Sequence, residues 1–246
     1  MRDAYAQSLA EFSDNVCSLA DIVSETMEHA TSALCRADRF RADKALDLKK
    51  QEVALRESCE ERAVKLLATE SPVARDLRQV VSSIYIVEDL AHMAALARHI
   101  AQIAARRSPK PAVPERLVPY FTEMGKVASS LTRTMRMVLA NPDPELASQL
   151  MDEDDAIDEL HAYLMTKLTD EVWPHSTVEA VDVALASRFF ERFADHAVSV
   201  GTRIVYLATG LHHKDYLARR EREMEEASQF HDEILALEER FRNQFS

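Results

Sequence analysis

The sequence predicts an all-α protein: two tandem, pseudo-symmetric three-helix bundles followed by an extra charged helix. Three observations lead there. Glycine occurs only three times in 246 residues, at Gly125, Gly201 and Gly210, which leaves little room for the tight turns of β-structure. Long stretches rich in Ala, Leu, Glu and Arg carry apolar residues at helical spacing. Near the middle, Ser108-Pro109-Lys110-Pro111-Ala112-Val113-Pro114 cannot be helical throughout and reads as a linker.

The elements follow in order. A first helix is expected over about Asp3 to Leu34 and a second over about Ala37 to Thr69. The third opens at Ser71-Pro72, where serine can cap and proline suits the first helical position, and runs to about Arg107. The fourth spans about Pro114 to Ala140, where Asn141-Pro142-Asp143-Pro144 stops it. Asp143 caps the fifth, which runs to about Val172. The sixth opens at Ser176-Thr177-Val178-Glu179, a capping-box pattern, and stops near Gly210, a C-terminal cap. The chain therefore divides into a first bundle at 1–107, a linker at 108–113, a second bundle at 114–210 and a tail at 211–246. Three helices, a linker and three helices suggest an internal duplication. At a shift of 100 residues, Ile84, Leu90, Met93, Ala94, Ala97 and Ile100 fall on Ala184, Phe190, Phe193, Ala194, Ala197 and Val200. In the tail, Leu217, Met224, Ala227, Phe230, Ile234, Leu237 and Phe241 form an a/d-like seam amid dense charge. A seventh helix folded along the bundle is the favoured reading, ahead of a helix for a partner or a dimer.

Composition narrows the function. With 47% hydrophobic residues the chain can build a real core, and a formal net charge of −12 argues against non-specific binding to nucleic acid or anionic lipid. Cys17, Cys35 and Cys59 lack metal-type spacing, lie within helical patterns and read as buried thiols in a reducing compartment. The start, Met1-Arg2-Asp3-Ala4, shows no apolar signal region. No run of about 18 uncharged apolar residues suggests a membrane span. A cytoplasmic protein without membrane insertion is expected.

Four carboxylates carry the candidate chemistry. Asp154 and Asp158 lie on the fifth helix, Glu191 and Asp195 on the sixth. A spacing of four places each pair on one helix face, one turn apart. Asp158 and Glu191 are equidistant from the centre of the intervening turn, as are Asp154 and Asp195. In an antiparallel hairpin the four therefore face each other in two layers. Like charges held that close need a cation, or a proton on one or more of them. Oxygen-only ligands favour Mg²⁺, Mn²⁺, Ca²⁺ or ferric iron over zinc. Either pair alone would read as surface decoration in a chain with 42 acidic residues; the matched level of two pairs is what points to a site.

The apolar stripes place that site. On the sixth helix Phe189, Phe193, Ala197, Val200, Ile204 and Leu207 form the stripe, with the acids turned away from it. On the fifth, Leu146, Leu150, Ile157, Leu160, Leu164 and Leu168 form the stripe, with Asp154 and Asp158 at its edge. A surface groove between two helices results. Arg192 is a balancing charge, and His161, three residues after Asp158, reads as supporting rather than ligating.

Glu191-Arg192-Phe193-Ala194-Asp195-His196-Ala197, together with Asp154-Asp155-Ala156-Ile157-Asp158-Glu159-Leu160 and Pro72-Val73-Ala74-Arg75-Asp76-Leu77-Arg78, resembles the PhoU family of phosphate-signalling regulators, in particular its actinobacterial branch. The resemblance covers roughly residues 1–210. It implies two three-helix bundles, each with paired acidic motifs able to bind a multinuclear cluster of Fe, Mn, Mg or Zn. It further implies a cytoplasmic, often dimeric protein with no established catalytic activity. Such a protein represses the phosphate-starvation response by contacting the phosphate transporter, through its ATPase subunit, and the sensor histidine kinase.

The first half departs from that pattern. The equivalent levels hold Leu48 opposite Ala95 and Glu52 opposite Ala91, His92 replaces an arginine, and Ala94 replaces a glycine. A cluster is therefore expected in the second bundle only, on Asp154, Asp158, Glu191 and Asp195. The competing function is a carboxylate-bridged metal protein or di-metal enzyme. That class draws ligands from four helices around a buried pocket, whereas two helices supply them here.

Overall fold

The computed structural model describes residues 2–70, 72–169 and 173–244. It is built of helices, with no β-strand among the described residues. Helix α1 spans Arg2–Arg36, α2 Arg39–Asp47, α3 Lys49–Glu70 and α4 Arg75–Arg107; a single 3₁₀ turn at Glu115–Leu117 leads into α5 Val118–Ala140. Then follow α6 Pro144–Glu153, α7 Asp155–Thr169, α8 Thr177–Thr209 and α9 His213–Gln244.

Side chains set these boundaries. Asp143 accepts from the Glu145 and Leu146 amides at the start of α6. Ser176 and Glu179 form a reciprocal capping box at the start of α8, and Gly210 ends it at φ 75°, a left-handed conformation that glycine adopts without a Cβ clash.

One expected boundary moves. The third helix begins at Arg75 rather than at Ser71-Pro72, because Ala74 sits at φ 48° and cannot continue a helix; Ser71 itself lies outside the described residues, as does the expected end of the fifth helix at Val172. The second and fifth helices are each broken once, at Leu48 and at Asp154. Both residues keep right-handed helical φ, with ψ relaxed to −17° and −26°. The pattern after each break is the same. The Leu48 carbonyl accepts from the amides of Gln51 and Glu52, and the Asp154 carbonyl from those of Ile157 and Asp158. Neither break contains Gly or Pro, so sequence punctuation does not reveal them.

Helix α4 is the central element. By length and composition it could cross a membrane, with a mean hydropathy of 1.4 over 18 residues, but 61% of that stretch is buried inside the fold. It packs on α1 and α8. Residues 81–90 and 181–190 show the same succession of buried, half-buried and exposed positions, so α4 and α8 repeat each other in packing as well as in hydrophobicity. They run antiparallel. Arg107 binds Asp182 at one end, His92 stacks on His196 with ring centroids 5.1 Å apart, and Gly210 approaches Arg78 at the other end. Midway lie Ala94 and Ala194, both buried and small enough to let the helix axes close up.

Between α4 and α8, Asp89 is held by His196 at 3.0 Å and by Arg203 at 3.2 Å, and Arg203 also lies 4.3 Å from the centroid of the Tyr85 ring. One continuous core runs through both halves, from Phe12 and Leu19 to Phe121, Phe190 and Phe193. The stripe of α8 is rotated from the expected one: Phe190 is fully buried, while Phe189 lies at the edge with its ring against His99.

The tail differs from the favoured expectation. After Tyr216, which is buried, α9 leaves the bundle. From Glu221 to His231 every residue is exposed, including Met224 and Phe230, each 65% exposed. The seam is therefore uncovered. The side chains of Leu237 and Phe241 lie outside the described residues.

Candidate metal centre

The break before α7 and the regular turn of α8 position the four carboxylates. Asp154 is the break residue itself, and Asp158 is the residue whose amide its carbonyl receives. Glu191 and Asp195 follow Phe190 and Ala194 on α8; because both of these are fully buried, their neighbours are turned toward the groove. Asp158 and Asp195 are exposed, whereas Asp154 and Glu191 are half-buried.

Electrostatics shows that the four share one neighbourhood. Burial, then Asp158, Asp155 and Asp195, push the Asp154 carboxyl up to about 6. Burial and the nearby Asp195 raise Asp158. The same two causes raise Glu191, although Arg188 partly opposes them. All three shifts mark a site that disfavours its own negative charge.

The compensating cation on the chain is Arg188, not Arg192. Arg188 binds the Glu191 Oε1 atom, while Arg192 is exposed. The second oxygen, Glu191 Oε2, is buried without a hydrogen-bond partner. His161 Nδ1 lies 3.0 Å from the buried Ser187 hydroxyl, which itself donates to the Ala184 carbonyl. The ring therefore donates from Nδ1 and is fixed in orientation. Burial and the nearby Arg188 hold its pKa down, keeping the imidazole neutral.

Among the described residues, no three His, Cys, Asp or Glu side chains are gathered closely enough to enclose one ion. The carboxylates are neighbours rather than a closed ligand shell. Their chemistry fits a hard polyvalent cation nonetheless: oxygen donors only, mutual repulsion, and one buried carboxylate oxygen without a partner.

The first half presents a different groove at the equivalent place. Glu52, 2% exposed, pairs with Arg98, 9% exposed, at 3.1 Å. Ala91 and Ala95 stand where Glu191 and Asp195 stand in the second half, and Lys49 and Arg56 line the same groove. Sequence reasoning found Glu52 but missed Arg98, which lies off the level-matching pattern. It also missed the Asp89–His196–Arg203 cluster: His196 and Arg203 share a face of α8, two turns apart, but Asp89 meets them only through the packing of α4 on α8.

Comparison with known proteins bears on the family and the fold. The profile of the PhoU domain matches the chain twice, over residues 16–104 and 121–204. The phosphate-specific transport system accessory protein PhoU homolog 2 of Mycobacterium tuberculosis is 46% identical over 210 residues, covering 85% of this chain and 99% of that protein. PhoU homolog 1 of Mycobacterium leprae is 43% identical over 211 residues, covering 85% and 95%. The crystal structure of PhoU from Pseudomonas aeruginosa superposes with a TM-score of 0.75 at 22% identity, covering 84% of this chain and all of that one, which supports the fold. Helix α9 lies beyond the matched domains.

Proposed function

The chain belongs to the PhoU family, and on that premise we propose that it is an accessory protein of phosphate transport and a negative regulator of the phosphate-starvation response. The observation that carries this reading is the double match of the PhoU domain together with 46% identity to a phosphate-transport accessory protein over nearly the whole of that relative. The protein acts in the cytoplasm as an adaptor without catalytic activity. As a homodimer it contacts the ATPase subunit of the phosphate transporter and the sensor histidine kinase, and so reports transporter state.

In the second bundle Asp154, Asp158, Glu191 and Asp195 would hold a metal cluster of Fe, Mn, Mg or Zn, which would supply positive charge to offset the four carboxylates. The chain's own part is to aim the acids, with Arg188 neutralising Glu191 and His161 tying α7 to Ser187. A di-metal enzyme is disfavoured by a groove open to solvent with ligands from two helices.

The test is a phosphate-starvation reporter read in high phosphate in a strain lacking the protein. Derepression that the wild type reverses, and Asp154→Ala/Asp195→Ala does not, is the expected result. A reporter that stays silent without the protein would overturn the regulatory reading. Rescue by the variant would remove the carboxylates from the mechanism.

A further inference from the structure

The groove between α3 and α4 occupies, in the first half, the place that the acidic site occupies in the second, yet its charge is inverted. It has a volume of about 290 Å³, enough for a small polyatomic anion. Lys49, Arg56 and Arg98 line it together with Glu52 and Glu88. At the corresponding positions of the second half stand Asp155, Ala162 and Val198. Three cations thus stand in the first half at positions that are uncharged or acidic in the second, while Glu88 stands where the second half has Arg188.

Two of these cations have buried nitrogens that face a carboxylate without completing a hydrogen bond to it. Arg98 Nη1 is ion-paired with Glu52 Oε2 at 3.1 Å, but the atom is buried and its N–H directions complete no hydrogen bond. Arg56 Nε is 3.5 Å from Glu60 and likewise buried without a hydrogen bond. Buried donors of this kind call for an acceptor. Glu52 is committed to Arg98 and fixes the guanidinium from behind, while Ala91 and Ala95 leave the groove open in front.

We propose that the α3–α4 groove is a binding site for a phosphate-type oxyanion, held by Arg98 and Arg56 with Lys49 at the rim. Planar guanidinium groups match tetrahedral oxyanions through paired N–H···O bonds. The remaining carboxylate, Glu88, sets the selectivity. Hydrogen phosphate carries a P–OH that Glu88 can accept, whereas sulfate has no proton at neutral pH and meets Glu88 as a like charge. His92 also lines the groove; its Nδ1 lies 2.8 Å from the Glu88 carbonyl oxygen, to which it donates. The ligand is orthophosphate itself or the terminal phosphoryl group of a small molecule.

The assignment stands on this groove alone and is independent of the regulatory reading. The test is calorimetric titration of the full-length protein in chelator-treated buffer at pH 7, with orthophosphate, pyrophosphate and sulfate in parallel. Orthophosphate should bind, and sulfate should bind at least about tenfold more weakly. A preference for pyrophosphate would identify a terminal phosphoryl group as the natural ligand. Arg56→Gln/Lys49→Gln, at half-buried and exposed positions, should weaken orthophosphate by at least about tenfold with unchanged helicity. Glu52→Gln/Arg98→Gln, which removes both members of the buried pair together, should abolish binding. Glu88→Gln should narrow the gap between phosphate and sulfate.

Absence of binding by both orthophosphate and pyrophosphate at 10 mM, roughly the upper limit of weak specific affinity, would overturn the proposal. So would an affinity that Arg56→Gln/Lys49→Gln leaves unchanged, or sulfate bound as tightly as phosphate. Binding seen only when the chelator is omitted would place the anion on a metal elsewhere and overturn it equally.

Discussion

At the scale of single residues, Asp154 is the most informative group in the metal-free protein. Its carboxyl is raised to about 6 by burial and by neighbouring acids. A carboxylate whose folded pKa exceeds its unfolded value binds more protons when folded. That contribution to stability is fully present below the unfolded value near 4 and is lost as pH rises through 6. Metal-free protein should therefore gain stability on acidification from pH 7 to about 5. Asp154→Asn should raise its melting temperature at pH 7 by a few degrees, with the gain gone near pH 4; calorimetric scans across that range check both. A bound divalent cation should reverse the preference and make the wild type the more stable of the two.

The Glu52–Arg98 pair behaves oppositely. Its two side chains are 3% and 11% exposed, so Arg98→Ala strands a buried carboxylate and should cost about 3–5 kcal/mol in urea denaturation. Level matching in the sequence led directly to the four acids because it depends only on helix geometry. Arg188 replaced Arg192 as the partner of Glu191 because an i,i+3 pair reaches along the helix, whereas the adjacent residue projects about 100° away.

Among elements, the close approach of α6 and α8 rests on Gly201. A Cβ there would lie 2.7 Å from the Ala147 carbonyl oxygen, a backbone atom that cannot swing aside. Gly201→Ala should destabilise the protein by about 1–3 kcal/mol through overpacking, read as a lowered denaturation midpoint. It should also loosen the second bundle next to the metal site.

Helix identity and most caps were legible in the sequence, because Asp143, Ser176, Glu179 and Gly210 act locally. The start of α4 was not. Pro72 invited a helix that the left-handed φ of Ala74 postpones. Nor were the two breaks, since an interruption without Gly or Pro leaves the apolar stripe of α6 and α7 in phase and the periodicity reads straight through it. The rotation that buries Phe190 and leaves Phe189 at the edge was hidden for a related reason: adjacent aromatics satisfy either phase until the neighbouring helix selects one.

For the whole molecule, the antiparallel contact of α4 with α8 decides whether the halves move as one. Arg107 reaches across to Asp182, which is 2% exposed on its side chain, while Arg107 itself remains 37% exposed. Arg107→Ala should destabilise the fold, but less than loss of a fully enclosed partner would, because water still reaches the arginine; a urea series at constant pH measures it. Helix α9 contributes little to this body. From Glu221 to His231 its side chains meet solvent, so deletion of residues 221–246 should leave the thermal midpoint of the bundle unchanged while reducing the Stokes radius seen by gel filtration. The seam was visible in the sequence, but nothing in a heptad pattern states whether its cover belongs to the same chain.

The paired interruptions at Leu48 and Asp154 carry a consequence for metal capture. The same backbone bend occurs in the half that carries four acids and in the half that carries Glu52 alone at those levels. Chain geometry, not coordination, therefore produces it. If the proposed site takes up an ion, the main chain is already bent and only side-chain torsions remain to be fixed. The entropic toll of loading is confined to a few rotors, so far-ultraviolet dichroism should stay flat through a metal titration that calorimetry registers in full.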